Sequence, residues 1–145
     1  MRFHDSIATL NRVLATLYRS LPMYLSTSAS PFARAADHKA VETLDHIVAD
    51  QKDLCRRVGE FILDRNGVIE LGEYPMDFTD THFLSIEFLV HRLIEQQAQD
   101  IVDLEESVAW LANDRDARDL AEEALGSAKA HFESLEELAN APAAA

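Results

Sequence analysis

The sequence is poor in residues that interrupt helices or crosslink a chain. Glycine and proline occur only four times each in 145 residues, which favours long helices over many turns. The single cysteine, Cys55, excludes an internal disulfide and a zinc site built from several cysteines. No apolar run approaches the ~20 residues that span a bilayer, and the opening MRFHDSIATL has no apolar signal core. We therefore expect a cytoplasmic protein with no membrane partner.

Basic residues are also scarce. The chain has 13 Lys and Arg against 26 Asp and Glu, for a formal net charge of −13. Such a surface repels nucleic-acid phosphates, so we expect no nucleic-acid partner. The apolar fraction of 48% and the length are typical of one globular domain. We predict one folded domain over residues 1–140 and a flexible C-terminal tail over residues 141–145.

Apolar residues recur at intervals of three and four along four segments, which predicts an all-α protein, a four-helix bundle. The predicted helices span about residues 3–25, 31–65, 79–112 and 114–138. Pro22 should kink the first helix or end it at Leu21. Ser30 should cap the second helix, with Pro31 in its first turn, and Asn66-Gly67 should end it in a left-handed C-cap.

A long connection, residues 67–78, joins the second and third helices and decides the topology. These residues reach at most ~40–49 Å, whereas each neighbouring helix measures roughly 50 Å at ~1.5 Å per residue. A lengthwise, ferritin-like crossover is therefore only just reachable. An antiparallel turn of this length is unusual, because such turns take about two to eight residues. The lengths of the connection and of the two helices favour up-down-up-down over the crossover. The apolar residues of the connection predict that it packs over the bundle.

Each helix turns one polar side chain with little or no charge toward the predicted interior. These residues are Asn11, Gln51, Gln97 and His131. All four fall near mid-height of the bundle at ~1.5 Å per residue. They form either a vestigial or unusual metal site or a polar core layer that fixes helix register by hydrogen bonds. The second interpretation is favoured because an amide lacks the charge of a carboxylate.

The overall plan resembles the ferritin-like superfamily in its four long helices, long middle connection, and histidines on the second and fourth helices. The phrase AKAHFESLEELA, residues 128–139, is similar to rubrerythrin. The resemblance implies a di-iron centre held by a Glu from each of two helices and a Glu-x-x-His from each of the other two. The chain departs from that pattern, because it contains no Glu-x-x-His and carries amides at the matching positions, Gln51 and Gln97. We therefore expect no cofactor.

A different metal site remains an alternative. Glu87 and His91 lie one turn apart at the edge of the core stripe, and His131 could approach them to complete an iron or zinc site. A surface hydrogen bond between Glu87 and His91 is the competing interpretation. The pattern at positions 38, 42 and 46 is similar to hemerythrin-like bundles, but the helical wheel turns it away from the core. The alternative function is thus a ferritin-like or hemerythrin-like metal-handling protein or oxidoreductase.

The third helix carries large apolar residues outside its core stripe, namely Leu84, Phe88 and Trp110. Grouped exposed apolar side chains indicate an interface. The competing interpretation is that the 67–78 connection folds over them. We predict self-association, with an unknown protein partner as the remaining possibility. The sequence as a whole favours a non-catalytic, homo-oligomeric binding or scaffold protein over an enzyme.

Overall fold

The computed structural model describes residues 3–27, 38–72, 78 and 86–140. These residues form five α-helices: α1 (Phe3–Tyr18), α2 (Leu21–Thr27), α3 (His38–Asp64), α4 (Ile86–Trp110) and α5 (Arg115–Asn140). The described ranges contain no strand, so the all-α prediction is confirmed. Within them, no helix combines the length and the apolar character that crossing a bilayer requires. The predicted cap at Ser30-Pro31, the start of the third predicted helix and the tail lie outside the described residues.

The first predicted helix is divided in two in the structure. α1 ends at Tyr18, and a two-residue break precedes α2, whereas the sequence predicts one helix over about residues 3–25 that Pro22 kinks or ends at Leu21. Pro22 explains the early end, because in a continuous helix its ring would collide with the carbonyl of residue 18. Ser20 caps α2 by accepting the Met23 N–H at 3.3 Å on its Oγ. The break therefore places a capping hydroxyl in the interior, where Ser20 is buried.

The end of α3 has the predicted left-handed cap. Asn66 has a φ of 61°, and the Gly67 N–H donates to the Ile62 carbonyl at 2.9 Å. A Cβ on Gly67 would lie 2.8 Å from Ile62 Cγ2 and 2.9 Å from Ile7. Glycine is required at this position because the Gly67 backbone lies directly against the side chains of Ile7 on α1 and Ile62 on α3.

Two apolar residues among the described part of the connection after α3 pack against the helices, as the sequence predicts for them. Ile69 packs against the core near α1, and Phe78 is buried. Asn11 holds the backbone of this segment: its Nδ2 donates to the Val68 carbonyl and its Oδ1 accepts the Glu70 N–H, both at 2.8 Å. The Asn11 amide therefore satisfies a backbone donor and a backbone acceptor that the loop leaves without partners in regular structure.

Contacts between the helices show their directions. Three side-chain contacts connect α3 with α5 or the residues next to their ends: the Asp50–His131 hydrogen bond and the Arg57–Glu123 and Arg65–Asp114 ion pairs. Residue numbers rise along α3 as they fall along α5, so the two helices are antiparallel. α4 is also antiparallel to α5, because residues 111–114 join them in a tight turn and Gln97 bonds the Ala128 carbonyl. α3 and α4 therefore run in the same direction, and the predicted up-down-up-down order is wrong.

The described part of α3, 27 residues, and that of α4, 25 residues, each span about 38–40 Å at ~1.5 Å per residue. Twelve extended residues cover about that distance, so a lengthwise connection is within reach. The connection makes this passage, since Ile69 packs in one apolar cluster and Phe78 in another at the opposite end.

These two apolar clusters fill the interior, one toward each end. The first joins α1 to the C-terminal half of α3, the C-terminal half of α4 and the N-terminal half of α5, and includes Leu14, Val58 and Leu104. The second joins α2, Phe78 and the other halves of α3, α4 and α5, and includes Leu44 and Leu93. Each long helix thus contributes to an apolar region at both ends, and the polar groups lie where the clusters meet.

Candidate functional site

A small polar cavity lies between the two apolar clusters, enclosed by α1, α3, α4 and α5. Its volume of about 10 Å³ is close to the least that holds one water molecule. Its polar lining consists of Thr16, Gln51, Gln97, Asp100, Ser127 and His131. Three of the four residues predicted for the core layer meet here. Asn11 is the exception, because it binds the connection instead.

Gln51 links α3 to the break between α1 and α2. The Ser20 hydroxyl donates to Gln51 Oε1 at 2.8 Å while accepting the Met23 N–H. Both side chains are buried, Gln51 being 3% exposed. The bond fixes the height of the break against α3, which is the register function predicted for a buried polar layer.

Gln97 links α4 to α5. Its Nε2 donates to the Ala128 carbonyl at 3.0 Å, an acceptor that already belongs to the helical ladder of α5. Its Oε1 is buried and has no hydrogen-bond partner among the described residues. A buried acceptor without a partner costs about 1–3 kcal/mol, so this oxygen leaves room for a donor in the cavity.

His131 faces α3 across the layer. Its Nε2 lies 2.7 Å from Asp50 Oδ2 and 3.4 Å from Ser127 Oγ. The carboxylate can only accept, so Nε2 carries the proton and donates it to Asp50. The imidazole is buried while the Asp50 carboxylate reaches solvent. The His131–Asp50 pair forms the edge of the polar layer between α3 and α5.

Asp100 is the layer residue that the sequence reasoning missed. It is 7% exposed, and its Oδ1 accepts from Gln96 Nε2 at 3.2 Å. Burial raises the pKa of this carboxyl to about 7, with Asp103 adding to the rise and the Gln96 bond opposing it. The signal was available: Asp100 lies seven residues after Leu93 and four before Leu104, which places it on the core stripe of α4.

The donor set does not fit a di-iron centre. Such a centre needs four Glu and two His ligands from the four helices, whereas this layer offers two amides, one aspartate and one imidazole. The imidazole Nε2 already donates to Asp50, and the Gln97 amide donates to backbone. Among the described His, Cys, Asp and Glu residues, no group of three or more is placed to hold a metal.

The predicted set of Glu87, His91 and His131 is only partly described. The Glu87 side chain lies outside the described residues, and His91 is exposed whereas His131 is buried against α3. The histidines at positions 38 and 46 and Glu42 are all exposed, and His46 pairs with Glu42 at 3.8 Å. The prediction that this face turns away from the core is confirmed.

Two of the three predicted interface residues, Phe88 and Trp110, lie on one exposed face of α4. Phe88 is 64% and Trp110 46% exposed, and they lie about 40° apart around the helix at ~100° per residue. Val102, which is also exposed, falls on the same face. Arg12 of α1 lies over the Trp110 ring, 4.5 Å from its centroid. Leu84 lies outside the described residues. We call Phe88, Val102 and Trp110 the α4 outer face.

Comparison of the chain with models of protein families, with curated proteins and with solved structures finds no match. Its function therefore has to be inferred from its own residues.

Proposed function

We propose that this chain is a four-helix bundle of ferritin-like plan that lacks the di-iron centre and serves as a non-catalytic, homo-oligomeric scaffold or binding protein. In this proposal α1 and α2 together form the first helix of the bundle. The helix directions support the relationship: a single long connection joins two parallel middle helices, which is the arrangement of ferritin-like bundles. Each outer helix is antiparallel to its chain neighbour: α1 shares a cluster with the C-terminal half of α3 and α2 one with its N-terminal half, while a tight turn joins α4 to α5.

The observation that carries the proposal is the chemistry of the polar layer. Gln51 and Gln97 occupy the mid-bundle height where ferritin-like proteins place carboxylates, and both amides are used in hydrogen bonds between helices. Two bridged cations need several negative ligands to offset their charge. One aspartate with a raised pKa is too little, so the layer serves register rather than redox chemistry.

Elemental analysis after loading tests this directly. Purified protein is incubated with excess Fe(II), Mn(II) or Zn(II), desalted and measured for ions per chain, and we expect far less than one. A Gln51→Glu/Gln97→Glu double variant is the matched control, since it restores two carboxylates without changing side-chain size. Retention of two ions per wild-type chain would overturn the proposal.

The α4 outer face supports self-association. Three large apolar side chains share it, and such a face becomes more stable when a second copy covers it. Light scattering should give a mass above that of one chain for wild type and a monomer for Phe88→Glu. Leu63→Glu on α3, which is also an exposed apolar position, should leave the mass unchanged. Added salt should strengthen association, because it screens the repulsion between chains of charge −13. A monomeric wild type contradicts this part of the proposal.

Asp100 favours one alternative, a metal-handling protein that binds a single ion. Asp100 and His131 line the same cavity, and a carboxylate with an imidazole is a donor pair that zinc or iron accepts. The same elemental analysis separates the two functions. One ion per chain, lost in Asp100→Asn, would favour the alternative, in which Glu87 and His91 become the next positions to test.

A further inference from the structure

The two aromatic residues of the α4 outer face lie symmetrically about Gln99, an exposed residue near the middle of the helix. Phe88 lies eleven residues before Gln99 and Trp110 eleven residues after it. At ~100° per residue, each falls about 20° from Gln99 around the helix, one on either side. The two large rings are therefore at equal distances from one point on the surface of α4.

Opposite charges occupy equivalent positions nearer to that point. Arg92 lies seven residues before Gln99 and Glu106 seven residues after it, and each again falls about 20° from it around the helix at ~100° per residue. Arg92 is half-buried and Glu106 is exposed. Glu106 also lies 3.7 Å from Arg12 of α1, but a carboxylate has about four acceptor positions and can bind a second guanidinium.

A two-fold axis at Gln99 would use both of these symmetries. When two copies of α4 run in opposite directions about such an axis, a residue before Gln99 on one copy meets the residue equally far beyond Gln99 on the other. Phe88 of one copy then packs against Trp110 of the second, and Arg92 pairs with Glu106. The axis forms each of these contacts twice, so the surface is complementary to itself.

Charge disfavours the parallel arrangement of the same two helices. Each residue of α4 would then meet its own copy, so Arg92, Glu95, Asp103 and Glu106 would all face like charges, which is costly at an interface. The antiparallel arrangement keeps one kind of like-charge contact, Glu95 with Asp103, and turns the others into attractive pairs. Added salt screens the remaining repulsion, in keeping with the salt effect expected for self-association.

We propose that this protein forms an antiparallel homodimer through α4, with a two-fold axis at Gln99, Phe88 packed on Trp110 and Arg92 paired with Glu106 across the interface. The inference rests on the self-association in the proposed function and specifies its geometry. It also sets the number of copies at two, because a two-fold contact uses the same surface on both copies and leaves none of it for a third.

Spin labels on α4 test the direction of the pair. Ala98→Cys and Ala109→Cys, each combined with Cys55→Ala and labelled, place the probes at exposed positions beside the contact. Ala98 is next to the axis, so its two labels should lie close together. The two labels at position 109 should be about 30 Å apart along α4 at ~1.5 Å per residue. Distances come from electron paramagnetic resonance, and light scattering checks that the labelled protein is a dimer.

A charge exchange tests the pairing. Arg92→Glu should weaken the dimer about tenfold or more, because it places two carboxylates together at both ends of the contact. Adding Glu106→Arg restores opposite charges and should recover most of the affinity. Lys52→Glu, which makes the same charge change as Arg92→Glu at an exposed site on α3, should leave the affinity unchanged. Light scattering over a range of concentrations measures association, and circular dichroism checks folding.

The outcomes separate this geometry from self-association itself. Short distances at both labelled positions would mean a parallel pair, and long distances at both would mean contact through another surface. Either result in a dimeric protein overturns the α4 geometry and leaves self-association standing. A monomeric wild type overturns both.

Discussion

Asp114, at the turn between α4 and α5, and Asp100, near the middle of α4, are 9% and 7% exposed, yet the pKa values of their carboxyl groups shift in opposite directions. The Arg65 guanidinium holds the pKa of Asp114 down at about 2, with smaller contributions from Ser6 and the Ala117 N–H. Burial raises the pKa of Asp100 to about 7. The two side chains have nearly the same solvent exposure, but Asp100 is surrounded by far more protein, and the resulting desolvation is the main cause of its raised pKa.

Depth and hydrogen-bond partners together account for the difference, because Asp100 lies deep between the helices whereas Asp114 has an arginine beside it. Asp114 receives both guanidinium nitrogens of Arg65 and caps α5 through the Ala117 N–H at 3.4 Å. Asp100 receives the Gln96 amide and is near a second carboxylate, Asp103. A buried carboxylate stabilises the fold where donors and a cation surround it, and destabilises it where they are few. The turn around Asp114 is therefore a structural anchor, whereas the region around Asp100 gives up stability.

The largest expected effect comes from Asp114→Ala. It leaves Arg65 half-buried without its partner and removes a helix cap, so we expect a loss of about 3–5 kcal/mol in the free energy of unfolding at pH 7. Urea denaturation measures this. The control Asp119→Ala, at an exposed site on the same helix, should change stability by about 0.5 kcal/mol or less.

The same comparison predicts an acid effect. The folded pKa of Asp114 is below its unfolded value of 3.8, so its contribution is present above that value and is lost as the pH falls toward about 2. Asp114→Ala should lack this loss. An Asp114→Ala variant as stable as wild type at pH 7 would show that the Arg65 pair is not an anchor.

Asp100→Asn should increase the free energy of unfolding, whereas Asp114→Ala should decrease it. The folded pKa is raised, so between about 3.8 and about 7 the folded state keeps a proton that the unfolded state has lost. Stability should therefore fall as the pH rises through this window. Asparagine can still accept from Gln96 and should remove the fall, giving about 2–4 kcal/mol more stability at pH 8 and little difference near pH 4. Denaturation curves at both pH values measure this, and a less stable variant at pH 8 would contradict it.

Replacing the two glutamines of the layer should lower stability by different amounts, and the glutamine whose amide oxygen has a partner should cost more. Gln51→Leu leaves the buried Ser20 hydroxyl without its acceptor, so we expect a loss of about 1–2 kcal/mol. Gln97→Leu removes an oxygen that lacks a partner in the described structure, so its effect should stay within about 1 kcal/mol of zero. Thermal unfolding of the two variants side by side gives the order. The reverse order would mean that Gln97, not Gln51, holds the layer together.

The smallest effect should come from an exposed ion pair. Arg57 and Glu123 are 2.6 Å apart, but their side chains are 35% and 52% exposed. Arg57→Ala should therefore cost less than about 1 kcal/mol, and added salt should reduce the difference further. Urea denaturation in low and high salt checks this. A cost equal to that of Asp114→Ala would show that distance matters more than burial.

The candidate site could be predicted in part. Gln51, Gln97 and His131 were found because each lies near an apolar stripe at the right height, and they do line one cavity. Asp100 meets the same criterion of height and face, but the predicted layer contains only uncharged and weakly basic side chains and therefore omits it. Asn11 was assigned to the layer, but its amide binds Val68 and Glu70. The position of Asn11 around its helix does not reveal that the loop containing Val68 and Glu70 lies closer to its amide than the other layer residues do.

The helical segments and several of their ends follow from the sequence alone, because apolar period and cap residues act within a few positions along the chain. The left-handed Asn66 and the tight turn before Asp114 are of this kind. The direction of α4 relative to α3 and the opposite ionisation of Asp100 and Asp114 were decided only by the tertiary structure. Both depend on which residues distant in sequence meet in space, and local periodicity contains no information about that.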